Sequence, residues 1–336
     1  MIKLYPPIVI AVLFLLNSLL GMNWEFPKAP YTASFHSTLI DDGFDLIFPS
    51  VIHAEKRFKN PLANYYMYTS PHGGASIRLY LADSFTGPWR YYGEVVNADI
   101  ARAEHVSSPH AVWNEEAGKL FFYVHAPNAQ TVYCHSDDGI HFEYGDVCVT
   151  RYMLSDAIGF KTKSASYARV QRYTIPEYNN TWTMTVTASG GKEPDGSQKN
   201  ASVLCTSDDG KKWTARRVVI DEGKDGKVYK TLDACYLPLD GRHFMVYTLR
   251  NRTEEKGNRT EKIQLHISEG DANWRNWKYL GLFYEPSWDY PDFGAARGLS
   301  LVPGSEGPLL YYEPGHHGAA RIGMLSLDKG KLSLSD

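Results

Sequence analysis

Cysteine is scarce in this sequence: Cys134, Cys148, Cys205 and Cys235 are the four in a chain of 336 residues. That number cannot build a disulfide scaffold, so packed side chains must hold the fold. Cys134 and Cys148 flank one turn and can pair, whereas Cys134 and Cys205 occupy matching places in two related phrases, as buried strand thiols would. Positive charge is not in excess either, with 35 Lys and Arg against 38 Asp and Glu and no long basic run. A nucleic-acid partner needs a clustered positive surface and is not expected. There is no GxSxG, no Walker loop and no dinucleotide glycine fingerprint, which argues against nucleotide chemistry. Neither HExxH nor paired CxxC occurs, so no metal and no cofactor are expected. Long amphipathic helical patterns are missing as well. The apolar stretch from Ile8 to Leu20 is too short to span a bilayer but suits a signal-peptide core. Residues 1–22 therefore read as a signal peptide or N-terminal anchor. The expected location is secreted or periplasmic, with membrane attachment only if the segment stays uncleaved.

What the sequence does have is aromatic β-strand vocabulary, with 23 Tyr and 8 Trp, residues that fit half-buried pleated surfaces and also suit sugar binding. It also repeats itself. YCHSDDGIHF at 133–142 returns as LCTSDDGKKW at 204–213, each a strand lead-in, a Ser-Asp-Asp-Gly turn and an aromatic. LADSFTGPWRYYG (81–93) and HISEGDANWRNWKYLG (266–281) are looser versions. Upstream of each lies a tyrosine-rich or alternating strand: NYYMYTS (64–70), KLFFYVHA (119–126), TWTMTVTA (181–188) and HFMVYTL (243–249), with PLLYYEPG (308–315) as a fifth. Upstream again lie FPSVIH, SPHAVW, YARVQRYTI, DACYLPL and AARGLSLV. Aligning Pro49, Pro109, Ala168, Ala234 and Ala296 gives spacings of 60, 59, 66 and 62 residues. Such a period predicts an all-β, five-bladed β-propeller of about four antiparallel strands per blade, over residues 23–336 as a single domain. A β-sandwich is the alternative, but it does not call for the same phrase once per period. On this reading the SDDG carboxylates are turn scaffold.

The innermost strand of each blade would line the channel. One aligned column reads Phe48, Ser108, Tyr167, Asp233, Ala295; the next reads Ser50, His110, Arg169, Cys235, Arg297. Charged groups near one axis are costly to desolvate and call for partners or ligand. The entry loops add Asp45 in DDGFD; Arg102, Glu104 and His105 in RAEHVSS; Trp288, Tyr290 and Asp292 in WDYPDFG; Glu313, His316 and His317 in EPGHHG; and His72 in SPHGG.

With the blades laid out, the chain resembles the five-bladed β-propeller glycosidases, the group of arabinanases, xylosidases and invertases. The likeness rests on FPSVIH with NYYMYTS, RLYLADSFTGPWRYYG, HVSSPHAVWNEEAGKLFFYVHA and the SDDG hairpins, over roughly residues 44–328. It implies a secreted glycoside hydrolase with a carbohydrate substrate, whose chemistry needs two carboxyl groups on opposite sides of the sugar. The family's base aspartate would fall at Phe48 and its second-blade carboxylate at His110, so the constellation is non-standard. Asp233 matches the fourth-blade acid. Asp45 or Asp292 can serve as a relocated base, with His110 or His317 assisting proton transfer. Arg169 and Arg297 are expected to grip an acidic or sulfated sugar, with Tyr167, Glu104, His105, His316 and His317 contributing to substrate binding. Two other readings are a polysaccharide lyase using His110, Tyr167 and Arg169, and a propeller that binds carbohydrate without catalysis.

Overall fold

The computed structural model describes residue 29 and residues 31–192, 198–221, 233–255, 258–304, 307–316 and 318–327. The expected signal segment and His317 lie outside the described residues. Among the described residues, twenty strands form five four-stranded antiparallel sheets. Blade one is β2–β5 (Leu46–His53, Tyr65–Pro71, Ser76–Ala82, Arg90–Asn97). Blade two is β6–β9 (Ser107–Asn114, Lys119–His125, Gln130–Ser136, Glu143–Thr150), and blade three is β10–β13 (Ser166–Arg172, Trp182–Lys192, Gln198–Ser207, Thr214–Asp221). Blade four is β14–β17 (Ala234–Leu239, Arg242–Glu255, Asn258–Gly270, Lys278–Tyr284). Blade five joins β18–β20 (Ala296–Gly304, Gly307–Pro314, Ile322–Leu327) to β1 (Ala33–Ile40), which pairs with β20 and completes the sheet from the other end of the ring. The C-terminal part of the chain thus supplies three strands of this blade and the N-terminal part the fourth. The helices are peripheral: α1 (Ala98–Ala101) and α2 (Arg151–Ile158) follow the outer strands of blades one and two.

Strand alternation closes the ring. In β7, Leu120, Phe122 and Val124 pack towards blade one, while Phe121 and Tyr123 pack towards blade three. Successive side chains point to opposite faces of a strand, so each sheet buries both faces between two neighbours. The same division recurs at the other junctions, giving an apolar layer between every adjacent pair of blades. All four cysteines are buried free thiols in these layers, so Cys134 and Cys148 do not pair. Burial pushes the thiols of Cys134, Cys205 and Cys235 up to about 12, which makes them inert.

The repeated SDDG phrase has a shared job. Asp138 Oδ1 accepts hydrogen bonds from Ile140 N and His141 N, both at 2.8 Å, and Ser136 Oγ accepts from Gly139 N at 2.9 Å. Asp209 and Ser207 repeat this arrangement around Gly210. Each glycine sits at positive φ, and its carbonyl accepts a tyrosine hydroxyl from the preceding blade: Tyr68 to Gly139 at 2.8 Å and Tyr123 to Gly210 at 2.5 Å. Tyr311 of blade five reaches Phe85 O, in the outer hairpin of blade one, in the same way at 2.9 Å. The phrase is a latch between neighbouring blades.

Candidate functional site

Four of the five inner strands carry the same irregularity. Pairing to the second strand skips from Ile47 to Ser50, from Ser107 to His110, from Ser166 to Arg169 and from Arg297 to Ser300. Each skip inserts one extra residue, a bulge that bends the strand and re-aims a side chain. The residue after the first partner adopts a left-handed backbone in every case: Phe48 (φ 55), Ser108 (φ 52), Tyr167 (φ 57) and Gly298 (φ 62). Non-glycine residues with this backbone are strained, and three at one repeated position are held there by the surrounding sheets.

The bulges correct two features of the sequence alignment. Gly298, rather than Ala295, is the blade-five counterpart of Phe48, so Arg297 does not share a column with Arg169. Nor do residues two apart across a bulge keep a simple common face. In blade four Ala234 pairs with Tyr247 without a bulge, and Asp233 is the residue that leads into the strand.

Around the axis, the Phe48 ring stacks on Tyr167 with centroids 4.7 Å apart. The Arg169 guanidinium lies 5.4 Å from the centre of the Phe48 ring and donates to Asp233 at 2.8 Å. Both members of this pair are nearly fully buried. Desolvation pushes the Asp233 carboxyl up, and the Arg169 charge opposes it. His110 donates from Nε2 to Val170 O at 2.7 Å; burial, assisted by the Arg169 charge, lowers its pKa to about 3, so the ring is neutral. Arg169 Nε and Nη1, Asp233 Oδ1 and His110 Nδ1 have no hydrogen-bond partner among the described residues.

A second group lies on the rim where the inner strands begin. Glu313, at the end of β19, is fully buried. It accepts hydrogen bonds from Arg297 Nε and from Phe48 N, the latter at 3.4 Å. Desolvation outweighs the pull of Arg297 and pushes the Glu313 pKa up to about 7. Asp45 accepts from Gly318 N at 2.7 Å and Ala320 N at 2.8 Å, with His72 Nδ1 at 3.8 Å. His125 meets the Tyr167 ring edge-on at 5.4 Å, and its Nε2 lies 3.2 Å from His105 Nε2. Burial raises the Tyr167 hydroxyl, with the Glu313 charge adding to it.

Other expected residues lie elsewhere. Asp292 is buried between blades four and five, accepting from Tyr284 at 2.5 Å, Tyr312 at 2.7 Å and Ser287 N at 3.1 Å. Its oxygens are committed to the scaffold. Glu104 is exposed, and His316 is half-buried at the turn beside Gly315. No group of three or more metal-ligating side chains occurs among the described residues. The roles of His125 and of the bulges carried no sequence signal beyond the repeat itself.

No family model and no curated protein matches the sequence. Solved structures do match by shape. One named as a glycoside hydrolase has a TM-score of 0.64 and 12% identity, covering 99% of this chain and 98% of its own. The α-L-arabinofuranosidase PaAbf62A of Podospora anserina, solved with cellotriose, has a TM-score of 0.57 and 11% identity over 90% and 98%. A Bacillus subtilis arabinoxylan arabinofuranohydrolase of glycoside hydrolase family 43, solved with cellotetraose, has a TM-score of 0.57 and 12% identity over 87% and 64%. The chain therefore has the five-bladed β-propeller fold found in glycosidases of several families.

Proposed function

We propose that the protein is a glycoside hydrolase acting on a poly- or oligosaccharide at the rim of the channel, with Glu313 as proton donor and Asp45 as the second carboxyl group. The observation that carries this reading is Glu313, a fully buried carboxyl with a pKa of about 7 on the same rim as Asp45. A carboxyl tuned to that range is protonated on about half of the molecules at pH 7 and can pass that proton to a leaving oxygen. Asp45 is preferred to Asp292 as its counterpart because Asp292 is committed to two tyrosines. Asp233 is paired with Arg169 beside the Phe48 ring, as Glu313 is with Arg297, and Glu313 is the one whose pKa reaches about 7. The stacked Phe48 and Tyr167 rings offer an apolar surface to a sugar.

That same stack favours a second reading, a carbohydrate-binding propeller without catalysis, because aromatic rings occupy the place where the resemblance calls for a base. The lyase reading is weaker, since burial lowers the His110 pKa to about 3 and leaves the ring a weak base. The test is a screen of residues 23–336 on neutral, uronic and sulfated oligosaccharides, reading reducing ends and unsaturated-sugar absorbance together. Reducing ends without absorbance uphold hydrolysis, absorbance moves the chemistry to elimination, and binding with neither product leaves the binding module. Export remains part of the proposal on the strength of the Ile8–Leu20 segment, and sequencing the N-terminus of the mature protein checks it.

A further inference from the structure

The entry loop of blade five, between β17 and β18, reads WDYPDFG at 288–294. It turns its aromatic residues outward: Trp288 is 53% exposed, Tyr290 56% and Phe293 39%. Among the described residues Trp288 is the exposed tryptophan, the other six being buried or half-buried. Large rings left in water forgo the burial that stabilises the rest of the fold, so three of them within six positions mark a contact surface.

The loop that carries them is firmly built. Buried Asp292 accepts from the Tyr284 and Tyr312 hydroxyls and from Ser287 N. Phe293 N donates to Asp289 O at 3.0 Å and Gly294 N to Ser287 O at 2.6 Å. Phe293 is held at φ 46, a strained backbone for an aromatic residue that persists where surrounding bonds over-determine it. The six-membered ring of Trp288 lies on Gly294, where a Cβ would stand 2.4 Å from Cζ3. The Arg321 guanidinium stands over the Tyr290 and Phe293 rings, 5.2 and 5.3 Å from their centres. That cation covers one face of each ring and leaves the other face and the edges to solvent. Rings fixed in this way lose little freedom when a ligand covers them.

Direct contacts join this platform to both candidate carboxyl groups. Gly294, the seat of Trp288, comes three residues before Arg297, which donates to Glu313. Arg321 follows Ala320, whose N–H donates to Asp45 at 2.8 Å. The same Arg321 pairs with Asp41 at 2.8 Å, and Asp41 accepts the Tyr290 hydroxyl at 3.2 Å. Asp41 and Asp45 are four residues apart, a stretch of chain that spans at most about 14 Å. A saccharide of several units lying between Asp45 and Glu313 can therefore reach the rings. Aromatic faces are large, rigid and apolar, and a pyranose whose hydroxyls are equatorial offers them a ring face made of C–H groups alone.

We propose that Trp288, Tyr290 and Phe293 form a remote sugar-stacking subsite that holds a pyranose unit of the same saccharide whose other units lie at Asp45 and Glu313. The ligand is then a chain of equatorially hydroxylated pyranoses, longer than a disaccharide. The inference rests on the carbohydrate-ligand part of the reading above. Its test uses the full chain, with calorimetric binding and reducing-end release measured on cello- and xylo-oligosaccharides of two and six units. The six-unit member of at least one series should bind at least about tenfold more tightly than its two-unit member. Trp288→Ala should cut that length advantage about tenfold, and Trp288→Phe, which keeps an aromatic face, should retain most of it. Tyr290→Ala should cut it in part. Equal binding of short and long members, failure to bind either six-unit sugar, or a length advantage that survives Trp288→Ala overturns the proposal. If reducing ends still appear in those cases, hydrolysis stands without the subsite. A Trp288-dependent length advantage with no reducing ends upholds the subsite and removes hydrolysis instead.

Discussion

Glu313 concentrates the chemistry at the scale of single residues. Burial raises its pKa from 4.5 to about 7 even though Arg297 lowers it. If it is the proton donor, activity should hold below pH 7 and fall above it, because the acid must be protonated to act. Glu313→Gln should lose about a hundredfold or more in kcat/KM, and the alkaline limb near pH 7 should vanish from the profile. Removing the Arg297 cation by Arg297→Gln takes away an interaction that favours the ionised carboxyl, so the limb should move to higher pH. An unchanged limb in both variants would place the donor elsewhere. Glu313 was legible in the sequence only as one loop carboxylate among several. Its raised pKa comes from burial, opposed by Arg297 and Phe48 N, contacts across 16 and 265 positions of chain that no local pattern encodes.

At the scale of elements, the inner-strand bulge and the tyrosine latch are the repeated devices. Gly298 takes the bulge conformation at φ 62, and a Cβ there would stand 3.2 Å from both Glu313 Oε2 and Phe48 Cδ1. Gly298→Ala should therefore cost about 1–3 kcal/mol in denaturant unfolding, from backbone strain and crowding together. Ser108 holds φ 52, and its hydroxyl has no partner among the described residues. Ser108→Gly should thus be tolerated within about 1 kcal/mol, the relief of strain offsetting the added freedom of the unfolded chain. If Gly298→Ala were the better tolerated of the two, the bulge would not be the strained feature described. The latch is tested by Tyr123→Phe, which leaves the ring in place but removes the hydroxyl bonded to Gly210 O. Loss of one buried hydrogen bond should lower stability by about 1 kcal/mol with little change in the m-value.

For the whole molecule, pH is the informative variable. His110, His125 and His266 all have pKa values lowered from 6.5 to about 3, by burial first. Between those values the unfolded chain binds protons that the native state refuses, so each histidine makes stability fall as pH falls. Glu313 acts oppositely: the native state keeps a proton between pH 4.5 and about 7 that the unfolded chain has lost, so its contribution declines as pH rises. Three histidines against one carboxyl give a clear net sign. The melting temperature should rise from pH 4.5 to 6.5 and then level off towards pH 7. Calorimetry across that range checks it, and a melting temperature that increased on acidification would contradict the burial of these rings in the native state.

The repeat period, the five blades and the SDDG turns were fixed by local sequence, because turn residues and alternating strands act over a few positions and recur once per blade. Four strands per blade were legible for the same reason. Closure of blade five by β1 was not, since Ala33–Ile40 finds its partner at Ile322–Leu327, at the opposite end of the described chain. The extra residue of each inner-strand bulge was equally hidden, and it shifted the blade-five alignment from Gly298 to Ala295. The site depends on these same long-range relations. Asp233 meets Arg169 from the next blade, and Asp292 turns towards Tyr284 and Tyr312. Sequence specifies strands through near-neighbour geometry, whereas burial and charge pairing are properties of distant segments that become neighbours only when the ring closes.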